Sequence, residues 1–432
     1  MTALLKIMHT TISPAGAIHG QITLPGDKSI SHRALMLAAI AEGNSLITGL
    51  ATGADVRSTR TCLQQLGVAI EATPTRTRVL GRGALELRAP LQPLDAGNSG
   101  TTMRLLSGIL AAQSFVSTIV GDASLSRRPM RRIVAPLEAM GAKLEASAEG
   151  TAPLTIHGGK LNGIHYTMPV ASAQVKSCVL FAGAEAEGET TVIEPHATRD
   201  HSERMLAAMG AELRVDKDGI AIRRSRLQAM NISIPGDFSS AAFLLAAALL
   251  LPNSDVLLQK VNVNPTRTAL LEVLQQMGAA PSLEHVDGKS FEPVAHLRVQ
   301  SQRLHGVRVE ENLIPLLIDE LPILAVLATQ AEGETIITGA HELRVKESDR
   351  LQALAMNLRA MSAEVEALPD GLIIRGPSRL RGAAIDSFHD HRIAMAFAIA
   401  GLCADSPTTI QHAECAEISF PGFFELLREH SR

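Results

Sequence analysis

Along the chain, a short polar cluster is followed by an almost wholly apolar stretch, a small turn and a β-rich run, and the series restarts six times. The restarts fall near Leu24, Asp95, Met168, Ile234, Leu317 and Phe388, about seventy residues apart, which suits a repeated supersecondary module better than a simple solenoid. Each apolar stretch, such as Ala34–Ile40, lacks a polar face and predicts a helix buried all round. A β-branched strand follows, as in Ser45–Thr48 or Thr190–Ile193. Next comes an amphipathic helix with a glycine stop: QQLGVAIE, LEAMGAKLE, LAAMGAELRV and LQQMGAAPSL. The fifth copy reads LRAMSAEVE, with Ser362 at the stop. Glycine there suits a left-handed helix cap, and short strands such as Leu154–His157 and Gly371–Arg375 close the unit.

The predicted module is β-α-β-α-β-β, and the fold class is α/β with two domains, each of three copies. We expect a first domain over 24–233 and a discontinuous second domain over 1–23 plus 234–432. The sixth copy stops short of its final strands, which the segment Ile12–Thr23 is expected to supply. Matching Pro-Gly pairs at 24–26 and 234–236 suit a hinge at the two crossings.

Composition narrows the function. A hydrophobic content of 46% over 432 residues gives ample core, and the net charge of −4 argues against a nucleic-acid-coating protein. With no Trp and a single Tyr (Tyr166), base-stacking platforms are not expected. Cys62, Cys178, Cys403 and Cys415 show no CxxC spacing and read as free thiols of a cytoplasmic protein. No apolar run is long enough to span a bilayer. The chain reads as soluble, with no membrane or nucleic-acid partner.

The chemistry gathers where the helices start. Lys28, Ser29 and Arg33 open the first copy, and Asn98, Gly100, Thr101 and Arg104 the second. Ser172, Gln174 and Lys176 open the third, Asp319 and Glu320 the fifth, and His391 and Arg392 the sixth. Arg127, Arg128, Arg131, Arg132, Arg199, Asp200, His201, Arg204, Arg344, Lys346, Glu347 and Arg350 crowd the second helices. A helix N-terminus carries unsatisfied N–H groups and partial positive charge, so cations there are unfavourable unless an anion is expected. Competing motifs fail: no glycine-rich phosphate loop precedes Lys28-Ser29, and no GxSxG elbow surrounds Ser99. No dinucleotide fingerprint opens any helix. Side chains of His389, Asp390 and His391 diverge from one another, so no metal site is expected.

Taken together, LPGDKSISHR, GNSGTTMR, RRPM, ASAQVKS, RVKESDR and DHRIAM resemble the 5-enolpyruvylshikimate-3-phosphate synthase family over essentially the whole chain. The resemblance implies a cofactor-free, metal-free monomer acting on two small molecules. The enolpyruvyl group of phosphoenolpyruvate passes to the 5-hydroxyl of shikimate-3-phosphate through a tetrahedral intermediate. It implies that Lys28, Ser29, Arg33, Ser172, Ala173, Gln174, Arg199, Asp319 and Lys346 hold shikimate-3-phosphate. Lys28, Gly100, Arg128, Gln174, Arg350, His391 and Arg392 would hold phosphoenolpyruvate. Asp319 is assigned as base and Glu347 as acid, with Lys28 assisting the departing phosphate.

Two features depart from the pattern. The lysine that some members carry before the final Phe-Pro is missing from Ala416–Pro421. The segments ASAQVKS, TRDHSER and LIDELPI resemble a branch that includes glyphosate-tolerant enzymes, yet Gly100 stands where tolerant relatives place alanine, so inhibition by glyphosate is expected. The alternatives are a UDP-N-acetylglucosamine enolpyruvyl transferase, disfavoured because the stretch Phe115–Met130 lacks a cysteine, and a non-catalytic anion-binding protein. Asp319 and Glu347 among the cations favour catalysis over the latter, since acids in a plain anion site only weaken binding.

Overall fold

A computed structural model describes residues 9–288 and 290–432; the first eight residues of the segment assigned to the second domain lie outside it. The described chain forms two compact units, one made of Gly26–Pro235 and the other of Met1–Pro25 with Gly236–Arg432. Six apolar helices, one per copy, organise them. They are α1 (Lys28–Ile40), α2 (Gly100–Ala111), α3 (Ala173–Gly183), α4 (Phe238–Leu250), α5 (Leu321–Gln330) and α6 (His391–Leu402). They are buried on nearly every face; Leu35 to Ala39 and Leu244 to Ala248 are fully enclosed. The α/β architecture expected from the six restarts is what the molecule adopts.

The polar clusters start these helices because they cap them. Asp27 accepts from the Ile30 amide, Ser99 from Thr102, Ser172 from Val175, Asp237 from Ser239, and Asp390 from Arg392. Each bond satisfies one of the orphan donors of a first turn and contributes about 1 kcal/mol. The fifth copy departs: α5 has no side-chain cap and begins instead with Pro322 in its first turn, which needs one donor fewer. The residue at its N-cap position, Glu320, turns its carboxylate to Ser239 and Arg267 instead.

Each copy carries its own small sheet. In Gly26–Pro235 the strand orders are Leu94–Asp95, Val116–Val120, Leu154–His157, Lys143–Glu145, and likewise His165–Thr167, Glu189–Ile193, Gly219–Arg223, Leu213–Asp216. The first pair of each is parallel and the others antiparallel, as a β-α-β-α-β-β path requires. At the two crossings the structure differs from the simple module. His19–Thr23, which precedes α1, pairs in parallel with Asp255–Asn262 of the fourth copy. Ile232–Ser233, which precedes α4, pairs with Glu42–Thr48 of the first. Among the described residues of the leading segment, the strand that joins the sheet of the sixth copy is Thr10–Ile12, against Thr408–Gln411, while Ile18 makes a single bridge to Ser431. Hydrogen-bonding edges are non-local, so the pattern that announces a strand does not say which sheet receives it.

The stops after the second helices adopt left-handed backbone: φ is 86° at Gly67, 103° at Gly141, 87° at Gly210 and 90° at Gly278. Ser362 takes the same conformation, with φ 67°, so the geometry of the stop is kept where its residue is not. All four cysteines are unpaired, three of them buried. Among the described residues no single helix is long and apolar enough to cross a membrane.

Candidate active site

In the unit Gly26–Pro235, the starts of α1, α2 and α3 and two loops carry the cations. Lys28, the first residue of α1, reaches Asp55 Oδ2 at 3.0 Å, so its ammonium is held by a carboxylate from the following helix rather than projecting freely. Ser29 is half-buried in the same turn, and its carbonyl accepts from Arg33 Nη1 at 2.9 Å. Arg33 is buried; its Nε donates to Ser202 Oγ and its Nη2 to Ser177 Oγ, both at 2.7 Å. Its guanidinium therefore ties α1 to α3 and to the helix His201–Ala208.

Around the N-terminus of α2, Arg104 Nη1 donates to Gln174 Oε1, and Gln174 Nε2 donates to Thr101 Oγ1 at 2.9 Å. Gln174 is thus fixed with its amide oriented by partners at both ends. Arg128 donates from Nη2 to Asn98 Oδ1 at 2.7 Å and to Ser124 Oγ at 3.3 Å. Gly100 lies close under both arginines: a methyl group there would stand 3.0 Å from Arg104 Nη1 and 3.5 Å from Arg128 Nη1. Ser172 caps α3, and Ala173 and Gln174 form its first turn. Lys176, by contrast, is committed to structure. Buried, it contacts Glu194 Oε2 at 2.9 Å and Glu203 Oε1 at 2.6 Å, and donates to the Thr198 carbonyl. It anchors the loop that carries half-buried Arg199.

In the other unit a second cluster forms around Arg350, which begins the helix Arg350–Ala360. Its Nε donates to Asp390 Oδ2 at 2.8 Å and its Nη2 to Glu347 Oε2 at 2.7 Å. Its Nη1 lies 3.6 Å from Asp319 Oδ1 and makes no hydrogen bond among the described residues. Burial opposes the charge on Arg350, but Asp390, Glu347 and Asp319 outweigh it and hold the guanidinium above its ordinary pKa. Arg392, in the first turn of α6, approaches Asp319 Oδ1 at 3.2 Å through Nε and donates from Nη1 to the Asp319 carbonyl at 3.0 Å. His391 is buried beside it, and Lys346 ends the short helix His341–Val345 just before Glu347. Asp319 and Glu347 keep 19% of their side-chain surface, enough to meet a ligand while two guanidiniums hold them.

Two acids were not singled out by sequence. Asp55 partners Lys28 from another helix, and nothing local in the sequence marks it. Asp390 is fully buried, caps α6, and also accepts from Ser348 Oγ at 3.1 Å. Its place immediately ahead of an apolar run is an N-cap signature that marks the residue, though not its bond to Arg350.

Capped, buried helices in repeated α/β modules, with guanidinium groups and reachable carboxylates at their starts, define a two-domain enzyme that handles small anions. The chain belongs to the EPSP synthase (3-phosphoshikimate 1-carboxyvinyltransferase) family, whose model matches residues 12–427. It is 53% identical over 424 residues to the 3-phosphoshikimate 1-carboxyvinyltransferase of Synechococcus sp. (strain JA-3-3Ab), covering 97% of this chain and 96% of that protein. Against the protein of that name from Bacillus cereus (strain 03BB102) the identity is 48%, with 97% and 98% covered. The solved EPSP synthase from Acinetobacter baumannii superposes with a TM-score of 0.87 at 45% identity, covering 98% of both chains.

Proposed function

We propose that this chain transfers the enolpyruvyl group of phosphoenolpyruvate to the 5-hydroxyl of shikimate-3-phosphate and releases phosphate. The observation that carries the reading, beside family membership, is the pairing of Asp319 and Glu347 with Arg350 and Arg392. The reaction needs anion-binding cations and proton-transferring carboxylates in one place. In the addition half, the 5-hydroxyl oxygen bonds to C2 of phosphoenolpyruvate and a proton bonds to C3. In the elimination half, C3 loses a proton and the C2–O bond to phosphate breaks. Asp319 takes the hydroxyl proton, which leaves with the released phosphate, and Glu347 gives a proton to C3 and takes one back, so each recovers its starting state over the full cycle. Lys28 neutralises the departing phosphate.

Arg128, Arg350 and Arg392, with Gly100, Gln174 and His391, are assigned to phosphoenolpyruvate, because planar guanidiniums match phosphate and carboxylate oxygens bidentately. Ser29, Ser172, Ala173, Gln174, Arg199 and Lys346 are assigned to shikimate-3-phosphate. Arg33, bonded to the Ser177 and Ser202 hydroxyls and to the Ser29 carbonyl, holds the first turn of α1 in place for them. The unpaired thiols support a reducing, cytoplasmic setting, and we take the working unit to be a monomer. With phosphoenolpyruvate present, phosphate should appear only on addition of shikimate-3-phosphate. Turnover with UDP-N-acetylglucosamine instead, or with neither acceptor, would overturn the assignment.

Gly100 provides a further test. A methyl group at this position stands 3.0 Å from Arg104 Nη1, so Arg104 must give by a few tenths of an ångström, while Arg128 Nη1 at 3.5 Å is met in ordinary contact. Glyphosate is longer than phosphoenolpyruvate and should lose more from that crowding. Inhibition titrations of Gly100→Ala should show glyphosate affinity falling by roughly tenfold or more, about 1.4 kcal/mol, with a smaller rise in the phosphoenolpyruvate KM. Equal losses for both ligands would remove the steric argument.

A further inference from the structure

The strands Ala384–Asp386 and Thr408–Gln411 lie side by side in parallel, so the loops leaving their C-terminal ends emerge together. Such ends are where open α/β sheets collect ligands. One loop leads into α6 and carries His389; the other carries His412 and leads into the short helix Ala413–Ile418, which holds Glu414 in its first turn. Ser387 Oγ donates to the His412 carbonyl at 3.3 Å and ties the two loops together. The imidazole rings of His389 and His412 face each other at a tilt of 37° with centroids 3.9 Å apart, and His412 Nδ1 lies 4.0 Å from Glu414 Oε1. One ligating atom from each of the three residues falls within 4.8 Å of the others.

The second oxygen of that carboxylate points to a ligand. The Glu414 side chain is partly exposed, but its Oε2 is buried and accepts no hydrogen bond among the described residues, an arrangement that costs free energy unless something positive meets it. His389 is exposed and gives access from solvent.

We propose that His389, His412 and Glu414 bind a borderline divalent transition metal, with Zn2+ as the reference ion. Two imidazole nitrogens and one carboxylate oxygen are a three-residue donor set for such ions and leave a fourth position for water. Mg2+ and Ca2+ prefer oxygen donors and are excluded by the same set. Tetrahedral coordination places ligand atoms about 3.3 Å apart, so the three side chains close in by about 1.5 Å, within reach of χ rotations. His389 immediately precedes Asp390, so a bound ion braces the turn from which Asp390 caps α6 and holds Arg350. The role is to stabilise that turn, and it is independent of the proposed reaction.

The test uses the chelator-treated full chain in equilibrium dialysis against micromolar Zn2+, with Co2+ as a spectroscopic probe. One Zn2+ per chain is expected, and Co2+ should give the intense visible absorption of a four-coordinate site. His389→Gln, at an exposed position, and Glu414→Gln, which keeps the side-chain shape, should each weaken Zn2+ binding at least about tenfold and abolish the Co2+ signal. Absence of binding by the wild type, or equal binding by wild type and both variants, would overturn the site. The second result would place the metal on other histidines.

Discussion

Asp319→Asn should lower turnover by roughly 10²–10⁴-fold while leaving the affinity for shikimate-3-phosphate within about tenfold of wild type. The substitution preserves shape. It retains an oxygen for Arg392 Nε and leaves untouched the backbone carbonyl that accepts from Arg392 Nη1, 3.0 Å away. What it removes is the capacity to accept the hydroxyl proton. Single-turnover measurements at saturating substrates separate this loss from a binding defect, because a positioning role would raise KM and a base role lowers kcat. Glu347→Gln provides the comparison. Its carboxylate sits on the same guanidinium, 2.7 Å from Arg350 Nη2, so a purely electrostatic role for Asp319 would be shared by Glu347. Near-normal turnover in Asp319→Asn, with collapse in Glu347→Gln, would transfer the base to Glu347.

The fold was legible where its causes are local. A capping Asp or Ser ahead of an apolar run marks α1, α2, α3, α4 and α6, and a left-handed stop after the second helix survives even as Ser362. The strands at the crossings were not legible. His19–Thr23 and Ile232–Ser233 pair across long stretches of chain, and their alternation is the same whichever sheet receives them. The candidate site divides in the same way. Cations at helix starts announce themselves through their conflict with the helix dipole. The acids that hold them, Asp55 on Lys28 and Asp390 on Arg350, come from other elements, and charge alone does not choose among the 44 Asp and Glu residues. His389 shows the limit well. Its neighbour in sequence, His391, starts a helix and turns away, whereas its partner His412 arrives from the adjacent parallel strand.

Asp390 carries the largest expected effect on stability. It is completely buried against Arg350, itself only 1% exposed, and accepts bonds of 2.8 and 3.2 Å from that guanidinium while capping α6. Removing one partner of such a pair leaves an uncompensated buried charge, at a cost of about 3–5 kcal/mol, and the lost cap adds about 1 kcal/mol. Asp390→Ala should therefore show a much lower midpoint in denaturant unfolding, together with weaker phosphoenolpyruvate binding through a displaced Arg350. Stability within about 0.5 kcal/mol of wild type would mean that Glu347 and Asp319 alone suffice to hold the guanidinium. The double variant Arg350→Met with Asp390→Leu distinguishes the pair's two roles. Apolar replacements of similar volume often match or exceed a buried ion pair in stability, because desolvating two charges offsets most of their attraction. Recovery of stability without recovery of turnover would identify the pair as one kept for binding an anion, at the expense of the most stable core this helix start could have.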